Sequence, residues 1–433
     1  MPNVYPSTFH PNGSGRRLRV DPEQRFFSGS NKRSRLGAAE RVYLVDGTLR
    51  EGEQSPGVFF TNEEKVRIAR ELDRIGVPIL DVGMPSVSAE EREAIRAIVN
   101  QGLRASVGVS IRLKREEVDQ AFECGAQEAF IICPVSSLHV RSKLGLDEEG
   151  VTRLAEDVVR YASEKGLLVN LVAEDASRAD ISFLCKTLSH AHRWGAKRAF
   201  ICDTVGGMDP FKFKDLIRKV RGKTPPEMGL GAHCHNDLGL ATANTLAGIG
   251  AGAFYPSVTV NGIGERAGNP PLHEIVMALE KILHLEHGID LEKLYDLSKL
   301  VERCSGIFIP PHAPLVGLNA FRHESGIHVD GILKNSQTYK LIDPKQVGRS
   351  SSFVLGKHTG TQTILHLLQQ NGYKVNEAEL REILQKVKER KMAKGKAEIS
   401  RMAKEIGDYY EEVLNFPMEA FWEIVKEVLK KDV

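Results

Sequence analysis

Two histidines separated by one residue, His233 and His235, are the side chains whose types and spacing point most directly to chemistry. Residues i and i+2 of an extended strand point to the same side, so both imidazoles can reach one ion. A carboxylate such as Glu51 would complete a two-histidine, one-carboxylate set with positions open for a substrate. The alternative is a pair of hydrogen-bonded structural histidines. The set suits Zn, Mn, Co or Fe, and Mg with additional waters, so we expect a divalent metal.

Two arginine–glutamate pairs, Arg50-Glu51 and Glu265-Arg266, are further candidates for a role in the site. A guanidinium group binds carboxylates in a bidentate manner, so Arg50, beside Glu51, is a candidate for binding a substrate carboxylate. A surface ion pair is the alternative for this pair and for Glu265 with Arg266. The glycines around the second pair, within Gly262–Asn269, indicate a loop with special backbone geometry near a ligand.

The elements that must position these residues alternate from Val42 onward. Eight short apolar runs are each followed by a helical segment, which is typical of an α/β fold of the (β/α)8 TIM-barrel type. A doubly wound sheet would have a phosphate-binding glycine fingerprint after its first strand, and Asp46–Gln54 is not one. The predicted strands are Val42–Val45, Ile79–Val82, Ala105–Ser110, Glu128–Cys133, Leu168–Ala173, Arg198–Cys202, Gly229–His233 and Ala253–Val258. The predicted helices are Glu63–Ile75, Ala89–Val99, Arg115–Glu123, Glu148–Ser163, Ser182–Trp194, Pro210–Val220, Leu238–Ile249 and one from Pro271.

Function in such a barrel sits at the C-terminal ends of the strands. The candidates above follow the first, seventh and eighth predicted strands. The fifth ends in Glu174-Asp175 and the sixth in Asp203-Thr204. We therefore expect these polar side chains to converge on one barrel mouth.

Four regions are predicted along the chain. Residues 1–41 form a basic, flexible arm rich in Gly, Ser, Pro and Arg, and 42–288 form the barrel. Residues 289–360 form a linker or lid that is dense in Gly, His and charge. Residues 361–433 show helical spacing of apolar residues, so the accessory region after the barrel is mostly helical.

Composition excludes several partners. With 41% hydrophobic residues, 27% charged residues and a formal charge of +2, the chain is typical of globular proteins and suits neither nucleic acid nor an anionic membrane. No apolar run is long enough to cross a bilayer, and the N-terminus lacks a signal-peptide core. The six cysteines form no CxxC pair, which indicates free thiols in a reducing compartment. We expect a cytoplasmic protein.

Three motifs carry a resemblance to a known family. Asp46–Gln54 (DGTLREGEQ), His233–Asp237 (HCHND) and Gly262–Asn269 (GIGERAGN) resemble signatures of the homocitrate synthase and 2-isopropylmalate synthase family, the Claisen-condensing DRE-TIM metallolyases. The likeness extends from Val42 to Gly360. Ala173–Asp180 and His323–Gly331 are most similar to homocitrate synthases that serve nitrogenase-cofactor assembly. The resemblance implies a TIM barrel that condenses acetyl-CoA with a 2-oxo acid.

The same resemblance implies roles for individual residues. His323 and His328 lie outside the barrel and alone indicate structural histidines, but the family gives His328 a part in proton transfer. The divalent metal (Mg, Mn, Zn or Co) would be bound by Glu51, His233, His235 and Asn269. The 2-oxo acid would be bound by Arg50, Gln54 and Thr204. Proton transfer would use Glu174, Glu265 and His328, with Tyr339 acting across the interface of a homodimer. No glycine motif indicates where the co-substrate acetyl-CoA binds.

The acceptor is first expected to be 2-oxoglutarate, giving homocitrate. Ser110 stands where homocitrate synthases of lysine biosynthesis have a substrate-binding histidine, and Asn170 and Val172 where they have Arg and Ser, so the pocket for the distal carboxylate differs. Oxaloacetate (a Re-type citrate synthase), pyruvate, 2-oxoisovalerate and a specialised 2-oxo acid are alternatives. A retro-aldol acyl-CoA lyase is a second class, against which the accessory region argues. A metal-free binding protein is a third, against which the intact metal set argues.

Overall fold

Eight parallel strands close into a barrel in the computed structural model, which describes residues 41–393 and 397–429. The strands are β1 (Val45–Asp46), β2 (Ile79–Asp81), β3 (Ser106–Ile111), β4 (Glu128–Pro134), β5 (Leu168–Glu174), β6 (Arg198–Asp203), β7 (Gly229–Cys234) and β8 (Tyr255–Val258). Each strand pairs with the next, and β8 pairs with β1, with Ser257 opposite Val45. Closure leaves no free edge, and the predicted TIM barrel is confirmed.

Helices surround the barrel, and eight of them lie where the sequence predicted helices. They are α1 (Asn62–Ile75), α2 (Ala89–Val99), α3 (Arg115–Glu123), α4 (Ser137–Leu144), α5 (Glu148–Glu164), α6 (Ile181–Trp194), α7 (Pro210–Arg221), α8 (Ala241–Ile249), α9 (Leu272–Ala278) and α10 (Leu294–Ser305). The prediction started α8 at Leu238, which is too early. Gly239 has a φ of 72°, in the left-handed region, so the chain turns there before α8 begins at Ala241.

Local chemistry sets the ends of these helices. Thr61 and Glu64 form a capping box at the start of α1, each side chain bonding the other's backbone N–H. The buried Ile68 and Leu72 follow at helical spacing and pack on the barrel. Gly76, with a φ of 98°, ends the helix, because a glycine adopts this conformation without steric cost.

Helix α4 was absent from the prediction. It lies between β4 and α5, and Val140 is its one buried side chain. A helix with so little buried surface has no apolar period for sequence analysis to detect. It is capped by Ser136, whose hydroxyl oxygen accepts the N–H of His139 at 3.1 Å.

The barrel interior is layered. Large apolar side chains fill its centre and form one cluster, consisting of Val45, Ile79, Phe130 and Phe200 with Val172 and Tyr255 packed against it. A buried ion pair lies in the interior at the level of the first residues of β4 and β6, where Arg198 donates to Glu128 at 2.6 Å. The centre is therefore packed, and ligands can enter only from the mouth.

The chain after the barrel forms small, mainly helical elements. These are β9 (Arg322–His323), α11 (Gly326–Lys334), β10 (Ser352–Phe353), α12 (Thr361–Gln370), α13 (Glu377–Ala393), α14 (Ala397–Asp408) and α15 (Met418–Leu429). The expected helical C-terminal region is confirmed, whereas the predicted boundaries at 288 and 360 remain predictions. Residues 1–40 of the predicted arm lie outside the described residues. Within the described part of the chain, no helix is both long and apolar enough to cross a membrane.

Candidate metal centre and its neighbouring carboxylate

Glu51, His233 and His235 meet at the barrel mouth. His233 lies near the end of β7 and His235 follows it, while Glu51 lies in the turn after β1. The two Nε2 atoms are 3.3 Å apart, and Glu51 oxygens lie 3.8 Å from Nε2 of His233 and 3.6 Å from that of His235. Donors about 2.1 Å from one ion at tetrahedral angles would be about 3.4 Å apart. The spacing therefore fits a shared metal ion, and these three form the one such cluster among the described residues.

The protonation states suit metal binding. Burial lowers the pKa of His233 to about 3, and burial also lowers that of His235. Burial alone would raise the pKa of Glu51, but the charges of Arg50 and the two histidines hold it at about 2. At neutral pH the imidazoles are neutral and the carboxylate is ionised, which are the forms that coordinate a metal.

Two further side chains support the cluster. The hydroxyl of Ser257 on β8 lies 3.0 Å from Nδ1 of His233, which fixes the ring and leaves Nε2 facing the other donors. Asn269 is buried, and neither atom of its side-chain amide has a hydrogen-bond partner in the described structure. A buried amide without partners is costly, so Asn269 fits the expected role of a further ligand.

Arg50 is held by two carboxylates at the same mouth. Its Nε donates to Asp81 on β2 at 2.7 Å, and its Nη1 donates to Glu51. Ser110 on β3 also donates to Asp81, at 2.8 Å. Arg50 and Gln54 line one cavity of about 320 Å³ together with Lys65 and Glu91, whereas Glu51, His233 and His235 are not among its lining residues. Asp81 and Ser110 were not predicted as partners of Arg50, although both lie at strand ends.

Glu174 ends β5 on a firmly held turn. The next residue, Asp175, is fully buried and has a φ of 63°, a left-handed conformation that aspartate tolerates. Its backbone N–H donates to the Thr204 hydroxyl at 2.9 Å, and Arg178 donates to its side chain at 2.7 Å. Thr204 thus joins the ends of β5 and β6, and its position at the mouth agrees with the predicted one.

Helix α4 supplies a partner for Glu174 that sequence analysis missed. The Nζ atom of Lys143 donates to both Glu174 carboxylate oxygens, at 2.6 and 2.8 Å. His139 lies on the same face, with Nδ1 3.5 Å from a Glu174 oxygen. The spacing of four residues between His139 and Lys143, directly after a strand end, was the signal available in the sequence.

The remaining candidates lie in the loop after β8 and outside the barrel. Arg266 donates to Asp237 at 2.7 and 2.9 Å and to the Thr204 carbonyl at 2.7 Å, so it ties three strand-end loops together. Glu265 is half-buried beside it. His328 on α11 lies against Tyr339 with ring centroids 4.3 Å apart and ring planes tilted by 32°, and both side chains are exposed. His328 thus contacts Tyr339. Among the described residues, neither side chain forms a hydrogen bond or ion pair with Glu51, His233 or His235 of the same chain.

Family models match most of the chain. The HMGL-like model matches residues 41–301, and the model described as "Homocitrate synthase post-HMGL domain-like" matches residues 315–395. The chain belongs to the HMGL-like family. The two models confirm the resemblance seen in the sequence, which places the chain in the DRE-TIM superfamily.

Relatives of this HMGL-like protein carry three different synthase names. The 2-isopropylmalate synthase 2 of Caldanaerobacter subterraneus is 43% identical over 81% of this chain and 91% of its own length. The (R)-citramalate synthase of Methanocaldococcus jannaschii is 42% identical over 80% of this chain and 70% of its own length. The homocitrate synthase of Methanothermobacter thermautotrophicus is 40% identical over 86% of this chain and 94% of its own length.

Two solved structures have the same barrel fold. The HMG-CoA lyase of Bacillus subtilis superposes with a TM-score of 0.56 at 18% identity, covering 62% of this chain and 95% of that chain. The HMG-CoA lyase of Brucella melitensis gives a TM-score of 0.56 at 17% identity, over 62% of this chain and all of that chain. At such low identity the likeness concerns the fold alone.

Proposed function

We propose that this protein catalyses a metal-dependent Claisen condensation of acetyl-CoA with a 2-oxo acid. The observation that carries the proposal is the cluster of Glu51, His233 and His235 beside Arg50 at the mouth of a barrel whose relatives are synthases. The three side chains would hold a divalent metal, which supplies Lewis-acid polarisation of a carbonyl when bound. The reaction is an acyl transfer in which the acetyl group becomes an alkyl group.

The polar groups around the cluster divide the remaining work. Arg50, with Gln54 and Thr204, orients the carboxylate of the 2-oxo acid, since a guanidinium group binds it in a fixed geometry. Glu174 removes a proton from the acetyl methyl group, and Glu265 takes part in proton transfer. The resulting enolate forms a carbon–carbon bond with the 2-oxo carbon as the carbonyl π electrons move to the oxygen. That oxygen then takes up a proton, the transfer in which Glu265 takes part. Water then hydrolyses the thioester and releases the CoA thiol, which makes the reaction irreversible.

We propose a short 2-oxo acid, with pyruvate first, as the acceptor. The positions that hold a distal carboxylate in homocitrate synthases of lysine biosynthesis are the uncharged Ser110, Asn170 and Val172. Ser110 is bonded to Asp81, and Val172 packs in the apolar cluster of the interior. Asn170 donates to Glu128 at 2.9 Å and is therefore held by the ion pair of the barrel interior. A distal carboxylate would gain no charged partner from these three side chains.

2-Oxoglutarate, the acceptor expected first from the sequence, remains the second candidate. It is favoured by the homocitrate synthase model that matches residues 315–395, and by the 94% coverage of the Methanothermobacter homocitrate synthase.

We further propose a homodimer whose active sites are shared between two copies. His328 and Tyr339 lie against each other as an exposed pair on the accessory region instead of bonding to the metal cluster of their own chain. The exposed His328 imidazole, in contact with the Tyr339 ring, is available to the active site of a second copy of the chain, where it would act as an acid or base.

Thiol release from acetyl-CoA tests the reaction. Purified protein with Mg²⁺ or Mn²⁺ is offered pyruvate, 2-oxoglutarate, oxaloacetate and 2-oxoisovalerate, and free thiol is followed with a chromogenic disulfide. We expect turnover with pyruvate that exceeds turnover with 2-oxoglutarate. The matched control is His235→Ala, which should abolish thiol release with every acid.

The outcomes separate the candidate functions. Turnover with 2-oxoglutarate alone would show that the product is homocitrate and not citramalate, the product expected from pyruvate. The proposed condensation reaction would still hold. Absence of thiol release with all acids and both metals, together with cleavage of a 3-hydroxy-3-methylacyl-CoA, would contradict the condensation and support a lyase.

A further inference from the structure

Helix α4 places two basic side chains against Glu174. His139 and Lys143 are four residues apart, so they lie on one face of the helix. Lys143 contacts both carboxylate oxygens of Glu174 at 2.6 and 2.8 Å, and Nδ1 of His139 is 3.5 Å from one of them. The Glu174 side chain is only 16% exposed, whereas that of Lys143 is 50% exposed.

The helix is joined to the strand end that carries the carboxylate. Ser136 accepts the N–H of His139 at 3.1 Å and donates its hydroxyl to the buried carboxylate of Asp175, the neighbour of Glu174. Nε2 of His139 lies 3.7 Å from the same Asp175 carboxylate. Hydrogen bonds therefore connect the start of α4 to the end of β5. They fix the position of the helix that carries Lys143 relative to Glu174.

We propose that Lys143 is a positioning residue that fixes the direction of the Glu174 carboxylate. The inference rests on the proposed function, in which Glu174 accepts a proton from the acetyl methyl group. A carboxylate at the end of a side chain with three rotatable bonds has many orientations, and two contacts from one ammonium group select one of them. Each carboxylate oxygen has two lone-pair sites, so a contact with Lys143 leaves a site free for the proton.

Misplacement of the base is expected to slow the reaction. A displacement of about 1 Å in a reacting group can cost about 10²-fold in rate. Loss of Lys143 should therefore lower kcat, because Glu174 loses its direction. The KM for the 2-oxo acid should not change, since Arg50 and the metal ligands are not bonded to Lys143.

Four variants test the proposal: Lys143→Met, Lys143→Arg, Glu174→Gln and the double variant of Lys143→Met with Glu174→Gln. We expect Lys143→Met to lower kcat about 10²-fold with an unchanged KM for the 2-oxo acid, and Lys143→Arg to recover most of the loss. The double variant should be no slower than Glu174→Gln alone, because residues that act through one group are not additive. Metal affinity, measured by calorimetry, should equal that of the wild type.

The control is Lys165→Met. Lys165 forms an ion pair with Asp119 at 2.7 Å, but it lies at the C-terminal end of α5, at the opposite end of the barrel. The Lys165→Met variant should leave kcat unchanged. Its comparison with Lys143→Met separates the general effect of losing an ion pair from the specific effect of losing the Lys143–Glu174 pair.

The outcomes distinguish failure of the proposed role of Lys143 from failure of the proposed condensation. An unchanged kcat in Lys143→Met, or losses that add to those of Glu174→Gln, would show that Lys143 does not act through Glu174. Wild-type protein that neither releases thiol nor exchanges the acetyl methyl protons with deuterated solvent would overturn the proposed function, and the role of Lys143 with it. Proton exchange in the wild type that is lost in Lys143→Met would support both.

Discussion

Asp46, at the end of β1, should contribute stability that the protein loses as pH rises. Its side chain is 1% exposed, and one carboxylate oxygen accepts the backbone N–H of Thr48 at 2.9 Å. The other oxygen has no hydrogen-bond partner in the described structure. Burial raises the pKa of Asp46 to about 7, with a smaller contribution from Asp81, against the opposing hydrogen bonds of Thr48.

The sign and size follow from proton linkage. An unfolded aspartate has a pKa of about 3.9, so between about pH 4 and pH 7 the unfolded chain loses a proton that the folded protein keeps. Ionisation therefore favours the unfolded chain, and the contribution of Asp46 to the free energy of unfolding falls across this window. A shift of about three pKa units at about 1.4 kcal/mol per unit gives a loss on the order of 4 kcal/mol. Below pH 4 both states are protonated, and above pH 7 the loss is complete.

Urea denaturation of metal-free protein at several pH values between 4.5 and 8 measures the effect. Asp46→Asn keeps an oxygen acceptor for Thr48 and cannot ionise, so the variant should lack this pH dependence. The free energy of unfolding of the variant minus that of the wild type should grow by up to about 4 kcal/mol over the window. Asp215→Asn, an exposed change on α7, is the control and should leave the wild-type profile unaltered. A difference between Asp46→Asn and wild type that stays constant with pH would refute the reasoning.

Three further predictions concern the site. His235→Ala removes one of the metal donors, so divalent-metal binding should disappear in calorimetry while the circular dichroism spectrum is unchanged; retained binding would contradict the metal assignment. Arg50→Lys loses the planar fork that spans Glu51 and Asp81, and the KM for the 2-oxo acid should rise at least about tenfold, whereas an unchanged KM would remove Arg50 from acceptor binding. His235→Ala and His328→Ala proteins, each inactive, should regain about a quarter of wild-type activity when refolded together, because half of the dimers then hold one complete site. A mixture without activity would argue against sites shared between two copies.

Local pattern determined most of the barrel. Strands of a parallel sheet are buried on both faces, so each appears in the sequence as a short apolar run. Each of the eight runs overlaps a strand, although the first, Val42–Val45, overlaps β1 only at Val45. Helix ends were predicted less well where the backbone rather than the pattern decides, as at Gly239 before α8. Helix α4 was missed because it buries Val140 and little else, so it has no period to detect.

The sequence also determined which residue types could form the metal set. His233 and His235 point to one side because strand geometry is local, and Glu51 follows the strand that closes the barrel against β8. The residue types of the ligands and their positions at strand ends were enough to predict that these side chains meet at one end of the barrel. The distances among them depend on closure of the barrel.

Contacts between neighbouring strand ends were decided only by the tertiary structure. Lys143 meets Glu174, Ser257 meets His233, and Arg50 meets Asp81, and each pair is far apart in the chain. No periodicity encodes such a pair, because the register of each strand is fixed by burial of its apolar face and the loop side chains follow from it. The sequence therefore determined the fold and the kind of chemistry, whereas barrel closure determined which polar groups are partners.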